Sequence, residues 1–407
     1  MNILNHVVDL CVLGAGAAGL MAGAEAARRG RTVVLLDHGP RVGRKVLISG
    51  GGRCNLTNVR ISAEHYLSDN PHFCKSALAG LGTADLLERF TSRGLEFVDE
   101  DRGKLFCRQG AGAVAKVLED SCREAGADIR LSRPVTGLKR FSSAEGGEAR
   151  FVVDTPRETL ACRSVLVALG GPAWPGAGAS SRGLDLAREL GLPVIPPRPA
   201  LVPLTMGANW PFAELAGIAL PVRITCGQAS FQEALLFTHR GLSGPAALQV
   251  SAHAVPGQDQ MGREVVVDLL PGTDLAALLA DTKDRKVLLK NFLARLLPQR
   301  LAQLAMEHLL PPGLGARRVG EIGAKDLRLA AQALSAWTLA PSGTEGWAKA
   351  EVTAGGVDTR PLSSRTMECK AIPGLYFAGE VLDVTGQLGG YNLHWALASG
   401  LACGRAV

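Results

Sequence analysis

The stretch Val7–Asp37 (VVDLCVLGAGAAGLMAGAEAARRGRTVVLLD) limits what this chain can fold into more than any other. The apolar run Val7–Leu13 enters a turn carrying Gly14, Gly16 and Gly19 in the spacing G-x-G-x-x-G. Small residues from Ala17 and Ala18 to about Arg29 favour a helix that Gly30 can end. Thr32–Leu36 predicts a second strand with Asp37 at its carboxyl end. Each part suits a bound dinucleotide. Gly14 permits a tight turn, Gly16 lets backbone N–H groups approach a pyrophosphate, and Gly19 lets helix and strand pack closely. The positive end of the helix faces the phosphates, and Asp37 can accept hydrogen bonds from ribose hydroxyls. A ligand-free helix packed on a sheet would explain the glycines alone. Strand, helix, second strand and terminal acid together favour nucleotide binding.

At 407 residues the chain is too long for one compact core, so two or three domains are expected. The net charge of +6 (44 basic minus 38 acidic residues) permits a polyanionic partner without requiring one. Nine cysteines occur without any C-x-x-C pair, which argues against metal-ligand spacing and a disulfide framework and fits a reducing cytoplasm. Leu10–Ala24 is uncharged, yet its four glycines and the preceding Asp9 argue against an export signal or a bilayer span. No stable membrane association is expected.

Gly43–Asn58 (GRKVLISGGGRCNLTN) comes next. Three consecutive glycines, Gly50, Gly51 and Gly52, cannot stabilise a helix or a central strand. They free the backbone to lie against something flat or anionic, with Arg44, Lys45 and Arg53 supplying positive charge and Ser49, Cys54 and Asn55 flanking it. A ligand-facing loop is the expectation, with a mobile surface loop as the alternative.

GAGAAGLMA followed by GRKVLISGGGRCNLTN resembles the N-terminal signature of a bacterial NAD(P)/FAD-dependent oxidoreductase family. Its members include a bile-acid reductase and the large-subunit ribosomal RNA dihydrouridine synthase. The resemblance implies an α/β fold: a glutathione-reductase-type, Rossmann-like FAD-binding domain carrying an inserted β-barrel plus helical domain. It implies FAD as cofactor, with Asp37 and His38 at the adenosine ribose, Val135 and Ala168 as further contacts, and the glycine loop beside pyrophosphate and isoalloxazine.

Residues Ser62–Leu131 read as support. Asn70-Pro71 predicts a helix start, Thr83 can cap a helix that Gly94 ends, and Leu95–Phe106 suggests a hairpin turning at 101–103. Ala113–Ala125 is an amphipathic helix stopped by Gly126. Strands are expected at Val135–Phe141, Ala149–Asp154 and Thr159–Cys162, then a return strand Ser164–Leu169 into GGPAWPGAGASSRG. That strand and loop, with Gly170 and Gly171, resemble the family's second flavin motif, except that Leu169 replaces a threonine. Gly176–Gly178 lacks the third glycine of a second nucleotide site. A helix is expected at Leu184–Leu190.

Pro193–Pro203, with five prolines, reads as a linker out of the flavin domain. Alternation predicts strands at Ile218–Cys226, Ser230–Phe237 and Arg263–Leu269. His239 and Ser243 stand in a further family-like motif, and a structural hydrogen bond in a barrel is the expected role of His239. Asp274–Leu310 is expected to be helical, with Leu288/Leu289, Phe292/Leu293 and Leu296/Leu297 on one buried stripe. Lys283, Arg285, Lys286, Lys290, Arg295 and Arg300 occupy the other face. Such a row is usually solvated, and it is also this chain's best candidate for touching a phosphate backbone. The expected domains are 1–192 with 346–407, and an insertion 193–345 made of a barrel (193–271) and a helical part (272–345).

Ala350–Val357 and Gly374–Gly400 (GLYFAGEVLDVTGQLGGYNLHWALASG) resemble the family's C-terminal signature. Leu375–Ala378 is expected as a strand beside Val7–Leu13. By the resemblance Gly379 and Glu380 meet the ribityl and pyrophosphate groups, and Asp383 is a second acid in reach. Gly389, Gly390 and Tyr391 open a helix with Asn392 as N-cap, aimed at the flavin ring. Thr385 stands where the family often has an acid, and Cys369 and Cys403 replace small residues.

The expected chemistry is reduction of an activated C=C bond with electrons from NAD(P)H, a transient donor, through the flavin. Cys54 or Tyr391 would supply the proton. The substrate is either a small unsaturated molecule or a uracil base in ribosomal RNA. A non-catalytic flavin-binding redox sensor is the reading from another class.

Overall fold

The computed structural model describes residues 7–100, 102–141, 149–254, 263–282 and 284–407. The chain divides into two units, Met1–Arg198 with Val352–Val407, and Pro199–Glu351.

The first unit is built on the sheet that the opening stretch begins. β1 (Val7–Leu13), α1 (Ala17–Arg28) and β2 (Val33–Leu36) lie where the sequence puts them, and β1 and β2 pair in parallel from Leu10↔Val33 to Leu13↔Leu36. On the other side of β1 runs Thr159–Val167, parallel, from Val7↔Ala161 to Leu13↔Val167. This is one strand where the sequence suggested two. Its first residues pair antiparallel with Phe151–Asp154, and Val165–Val167 pair in parallel with Leu375–Phe377. The C-terminal strand expected beside β1 therefore lies one position further out. β1 has neighbours reached by opposite connections, so a crevice opens at its carboxyl end, where ligands bind in such sheets.

Ten of the twelve residues of α1 are buried. Their small size follows from what crosses them. A Cβ on Gly400 or Gly404 of the C-terminal helix Tyr391–Ala406 would come within 2.3 Å of Ala18 O or 2.6 Å of Ala22 O. The two helices thus meet at backbone contact, and glycine is required there.

Several local expectations are corrected. The helix after Asn70-Pro71 begins only at Lys75, and Asn70 O instead accepts from Phe73 N in a turn. Helix Thr83–Thr91 is capped by Gly82, whose N–H meets the Asp85 carboxylate, while the Thr83 hydroxyl donates to Asn58 O. The hairpin pairs Phe97–Asp99 with Lys104–Cys107 and gains Asn55–Asn58 as a third strand; Asp101 in its turn is outside the described residues. The amphipathic helix starts early, at Gly110. The proline-rich linker is a strand, Val194–Ala200, paired with Val352–Val357. Prolines are tolerated in such a two-stranded edge, which composition alone reads as a break.

In the second unit seven strands form one antiparallel sheet. Its order is Trp337–Leu339, Val265–Asp268, Ala219–Cys226, Ala229–Thr238, Gly241–Ser243, Leu204–Thr205, Gly343–Thr344, and its two edge strands are only three residues apart in the chain, so the sheet curls back on itself. Phe212, Leu235, Phe237, Val250 and Trp337 fill its core. Asp274–Leu310 is not one helical stretch. It holds three short helices, Leu275–Asp281, Leu289–Leu293 and Gln299–His308, broken by extended Thr282 and by Pro298. Leu289, Phe292, Leu293 and Leu297 are buried as foreseen, but Leu296 is exposed. The basic row is dispersed. Arg295 pairs with Asp284, Arg300 donates to Glu214 O, Arg285, Lys286 and Lys290 are exposed, and Lys283 lies outside the described residues. His239 is exposed at a strand turn, not fixed inside a barrel.

Candidate active site

The three glycines of the opening turn have separate jobs. Gly14 has φ +107°, and a Cβ there would meet Ala168 O at 2.5 Å; at Gly19 it would meet Gly14 O at 1.9 Å. Both are demanded by packing. Gly16 is different: its φ is −83°, open to any residue, and nothing lies within 4 Å of its would-be Cβ. Neither conformation nor the protein's own packing requires glycine at this helix N-cap. The free space lies before the first-turn N–H groups of α1, which have no intrahelical acceptors. An anion fits there.

Asp37 is buried at the end of β2. Its Oδ2 accepts from Ala15 N at 2.8 Å and its Oδ1 from Gly39 N at 2.7 Å. These bonds aim the carboxylate and leave each oxygen a further lone pair for a hydroxyl donor. The Arg44 guanidinium lies 3.7 Å from Asp37 Oδ1 and 2.5 Å from His38 Nε2. Arg133 N donates to Asp37 O, so the segment leading to Val135 runs past this same end. Ala168 N donates to Leu13 O, and Gly170, at φ +70°, has open space beside it. Gly171 is packed instead: a Cβ there would meet Thr353 Oγ1 at 2.3 Å.

Lys45 and Glu380 meet at 2.5 Å, and the other Glu380 oxygen accepts from Thr353 N at 3.0 Å. Gly379 N donates to Ser399 Oγ, and Trp395 Nε1 donates to Gly379 O. The C-terminal helix thereby fixes the Gly379-Glu380 turn. Asp383 is buried; its Oδ2 accepts from Asp69 N and the Ser68 hydroxyl, and burial raises its pKa above the ordinary 3.8.

The glycine-rich loop is more ordered than its composition suggests. Arg44–Ile48 is a short helix and Ser49–Gly52 a tight helical turn in which Gly50 and Gly51 have positive φ. The Ser49 hydroxyl donates to Val46 O. Gly51 and Gly52 have open space beside them. Arg53 points elsewhere, pairing with Glu100 and lying over the Phe106 ring. Cys54 is fully buried at φ +56°, and burial pushes its thiol up to about 12. A sealed thiol of that kind holds its proton firmly.

Asn55–Asn58 braces the start of the C-terminal helix. Asn58 Nδ2 donates to Gly389 O at 3.2 Å, and a Cβ on Gly390 would meet Thr57 at 2.4 Å. With its amide turned to satisfy its neighbours, Asn55 accepts from Gly390 N. Gly390 itself, at φ +94°, is the N-cap; Asn392 instead reaches back to Gly386 N and O. Tyr391 is buried, stacked on His65 with centroids 4.7 Å apart.

His394 was not singled out by the sequence. It is buried, with Nε2 2.9 Å from Leu81 O and Nδ1 2.7 Å from Thr57 Oγ1. A carbonyl can only accept, so Nε2 carries the proton and the Thr57 hydroxyl donates to Nδ1. Burial lowers the His394 pKa to about 4, which keeps the ring neutral. Thr57, Ser68, Thr353 and Ser399 were missed for the same reason: each acts on a partner far away in sequence.

Open space before a helix N-terminus, a buried acid with lone pairs to spare and a second glycine-lined loop closed by a C-terminal helix fit FAD. No His/Cys/Asp/Glu cluster fit for a metal ion occurs among the described residues. Fold and site define a Rossmann-type flavin oxidoreductase. Residues 8–406 match the HI0933-like protein Rossmann domain, and the chain belongs to that family. It is 42% identical over 401 residues to the ribosomal RNA dihydrouridine synthase of Haemophilus influenzae, covering 97% of each chain. It is 33% identical over 414 residues to the 3-dehydro-bile acid delta(4,6)-reductase of Clostridium scindens, covering 97% of this chain and 98% of that one. In fold it is similar to 3-ketosteroid-delta4-(5alpha)-dehydrogenase of Rhodococcus jostii RHA1, with TM-score 0.50 at 15% identity over 99% of this chain and 97% of that one.

Proposed function

We propose that this protein reduces the C5=C6 double bond of a uracil in ribosomal RNA, using FAD recharged by NAD(P)H. The observation that carries this reading is the 42% identity to a ribosomal RNA dihydrouridine synthase over 97% of both chains. Asp37 and the α1 N-terminus would hold the adenosine and pyrophosphate, while Lys45, Glu380 and the Gly389–Asn392 turn would hold the ribityl and ring portions. Bound flavin supplies hydride chemistry; the protein orients the ring and excludes water. The first-turn N–H groups of the C-terminal helix would favour negative charge at the ring edge they face. Exposed Arg285, Lys286 and Lys290 suit a phosphate backbone. Nine free cysteines are in keeping with a reducing cytoplasm, and among the described residues no helix is long and apolar enough to cross a membrane.

The test compares dihydrouridine in large-subunit ribosomal RNA from wild type and a deletion strain. Loss of the modification on deletion and its return on complementation support the proposal; unchanged dihydrouridine removes it. A second reading, reduction of a small enone, has the resemblance to the bile-acid reductase in its favour. NAD(P)H oxidation driven by a steroid enone, with RNA inert, would favour that one.

A further inference from the structure

Beside the buried Cys54 and Tyr391 stands a third, more accessible group that can carry a proton. His65 lies at the same place. Its ring is half-buried and stacks on Tyr391, the first residue of the C-terminal helix, with an interplanar angle of 24°. Backbone bonds hold it there: Gln387 N donates to His65 O at 2.9 Å, and the next two residues, Tyr66–Leu67, pair antiparallel with Thr385–Gly386. The Tyr66 hydroxyl also donates to Tyr391 O at 3.0 Å.

The Ala63–His65 helical turn folds three polar side chains into a chain. Ser62 Oγ lies 2.9 Å from Glu64 Oε1 and 3.0 Å from His65 Nδ1. The ionised carboxylate can only accept, so the single Ser62 proton goes to Glu64. Ser62 Oγ must then accept from Nδ1–H of His65. This fixes the tautomer and leaves Nε2 as the nitrogen that exchanges protons.

Both nitrogens of His394 are engaged in the core, and Asp383 Oδ2 is held by the Ser68–Asp69 turn.

We propose that His65 is the proton donor of the reduction, with Ser62 and Glu64 as its positioning residues. This rests on the reading that the substrate is a uracil. Hydride delivered to C6, the carbon β to the C4 carbonyl, shifts the π pair towards C5. C5 takes the proton from Nε2–H of the His65 imidazolium, which is left as the neutral Nδ1–H tautomer, and one hydride plus one proton turn CH=CH into CH₂–CH₂. The neutral imidazole regains its proton from solvent, and a nicotinamide nucleotide restores the hydride equivalent.

Two measurements on the FAD-loaded protein test this. In ¹⁵N NMR of the histidine rings, neutral His65 is expected as the Nδ1–H tautomer, and Ser62→Ala should abolish that preference. An Nε2–H tautomer in the unmutated protein overturns the relay. In kinetics, His65→Gln should slow dihydrouridine formation by about 10²-fold or more, the range for loss of a general acid. NAD(P)H should bleach its flavin at the unmutated rate, and imidazole should partly rescue His65→Ala. A His65→Gln enzyme that reduces uridine at nearly full rate overturns the proposal, as does one that loses both half-reactions equally. Failure of the unmutated enzyme to reduce uridine would instead remove the substrate reading, and the tautomer would still decide on the relay.

Discussion

The Lys45 ammonium touches the Glu380 carboxylate at 2.5 Å, joining residues 335 positions apart. Both are largely shielded, with 32% and 19% of their side chains exposed. The pair links the first glycine loop to the C-terminal turn, so Lys45→Met should loosen the cradle more than the fold. Titration with FAD should give a dissociation constant raised about tenfold, equivalent to ~1.4 kcal/mol. An unchanged constant would mean the bond is only a surface pair.

Gly16 and Gly19 separate ligand binding from packing. Gly16→Ala meets no protein atom, so thermal unfolding of the FAD-free chain should barely change while FAD binding weakens sharply. Gly19→Ala puts a methyl 1.9 Å from Gly14 O and should cost about 1–3 kcal/mol or more in the FAD-free protein. Equal destabilisation by both would refute the assignment of Gly16 to the ligand.

His394 makes stability depend on acidity in a defined window. Its pKa is about 4 in the folded protein against 6.5 ordinarily, so the unfolded chain binds the extra proton first. Stability is full above pH 6.5 and is lost as the pH falls towards 4, by about 3 kcal/mol in all. His394→Gln should be less stable at neutral pH but flatter across that window in denaturant titrations. A slope identical to the unmutated protein would exclude the buried ring as its source. Asp9, held below the ordinary carboxylate value of 3.8 by the Thr32 hydrogen bonds and then Arg163, and Asp358, held there by Arg360, act only at lower pH.

Cys54→Ser tests the first of the two expected acids. The thiol is sealed and held protonated, so steady-state reduction should fall far less than the ~10²–10⁴-fold expected on losing a general acid. A loss of that size with flavin still bound would reinstate Cys54.

Local chemistry was legible wherever neighbouring residues carry it. The β1–α1–β2 bounds follow from apolar runs, small residues and Gly30, and the resemblance of both chain ends to one family foretold a flavin fold. Composition misled where context reverses propensity. Five prolines in Pro193–Pro203 look like a linker, yet Val194–Ala200 finds a partner strand. The four-residue apolar repeat around Leu288–Leu297 made Asp274–Leu310 look helical throughout, but the stretch is interrupted at Thr282 and again between Leu293 and Gln299. Acids such as Glu380 and Asp383 could be read, but not the partners that hold them. Thr57–His394, Thr353–Glu380 and Ser68–Asp383 are bonds across 337, 27 and 315 residues, and a single sequence carries no trace of such pairings.

Because Thr159–Val167 is clasped between β1 and Leu375–Phe377, the cradle needs both extremities of the polypeptide. During synthesis the adenine-directed half can form early, but the ring-directed half waits until Tyr391–Ala406 has left the ribosome and closed over α1. Cofactor loading therefore reports that synthesis has passed Tyr391–Ala406, and fragments that stop before this helix should emerge without their prosthetic group and fall to proteolysis.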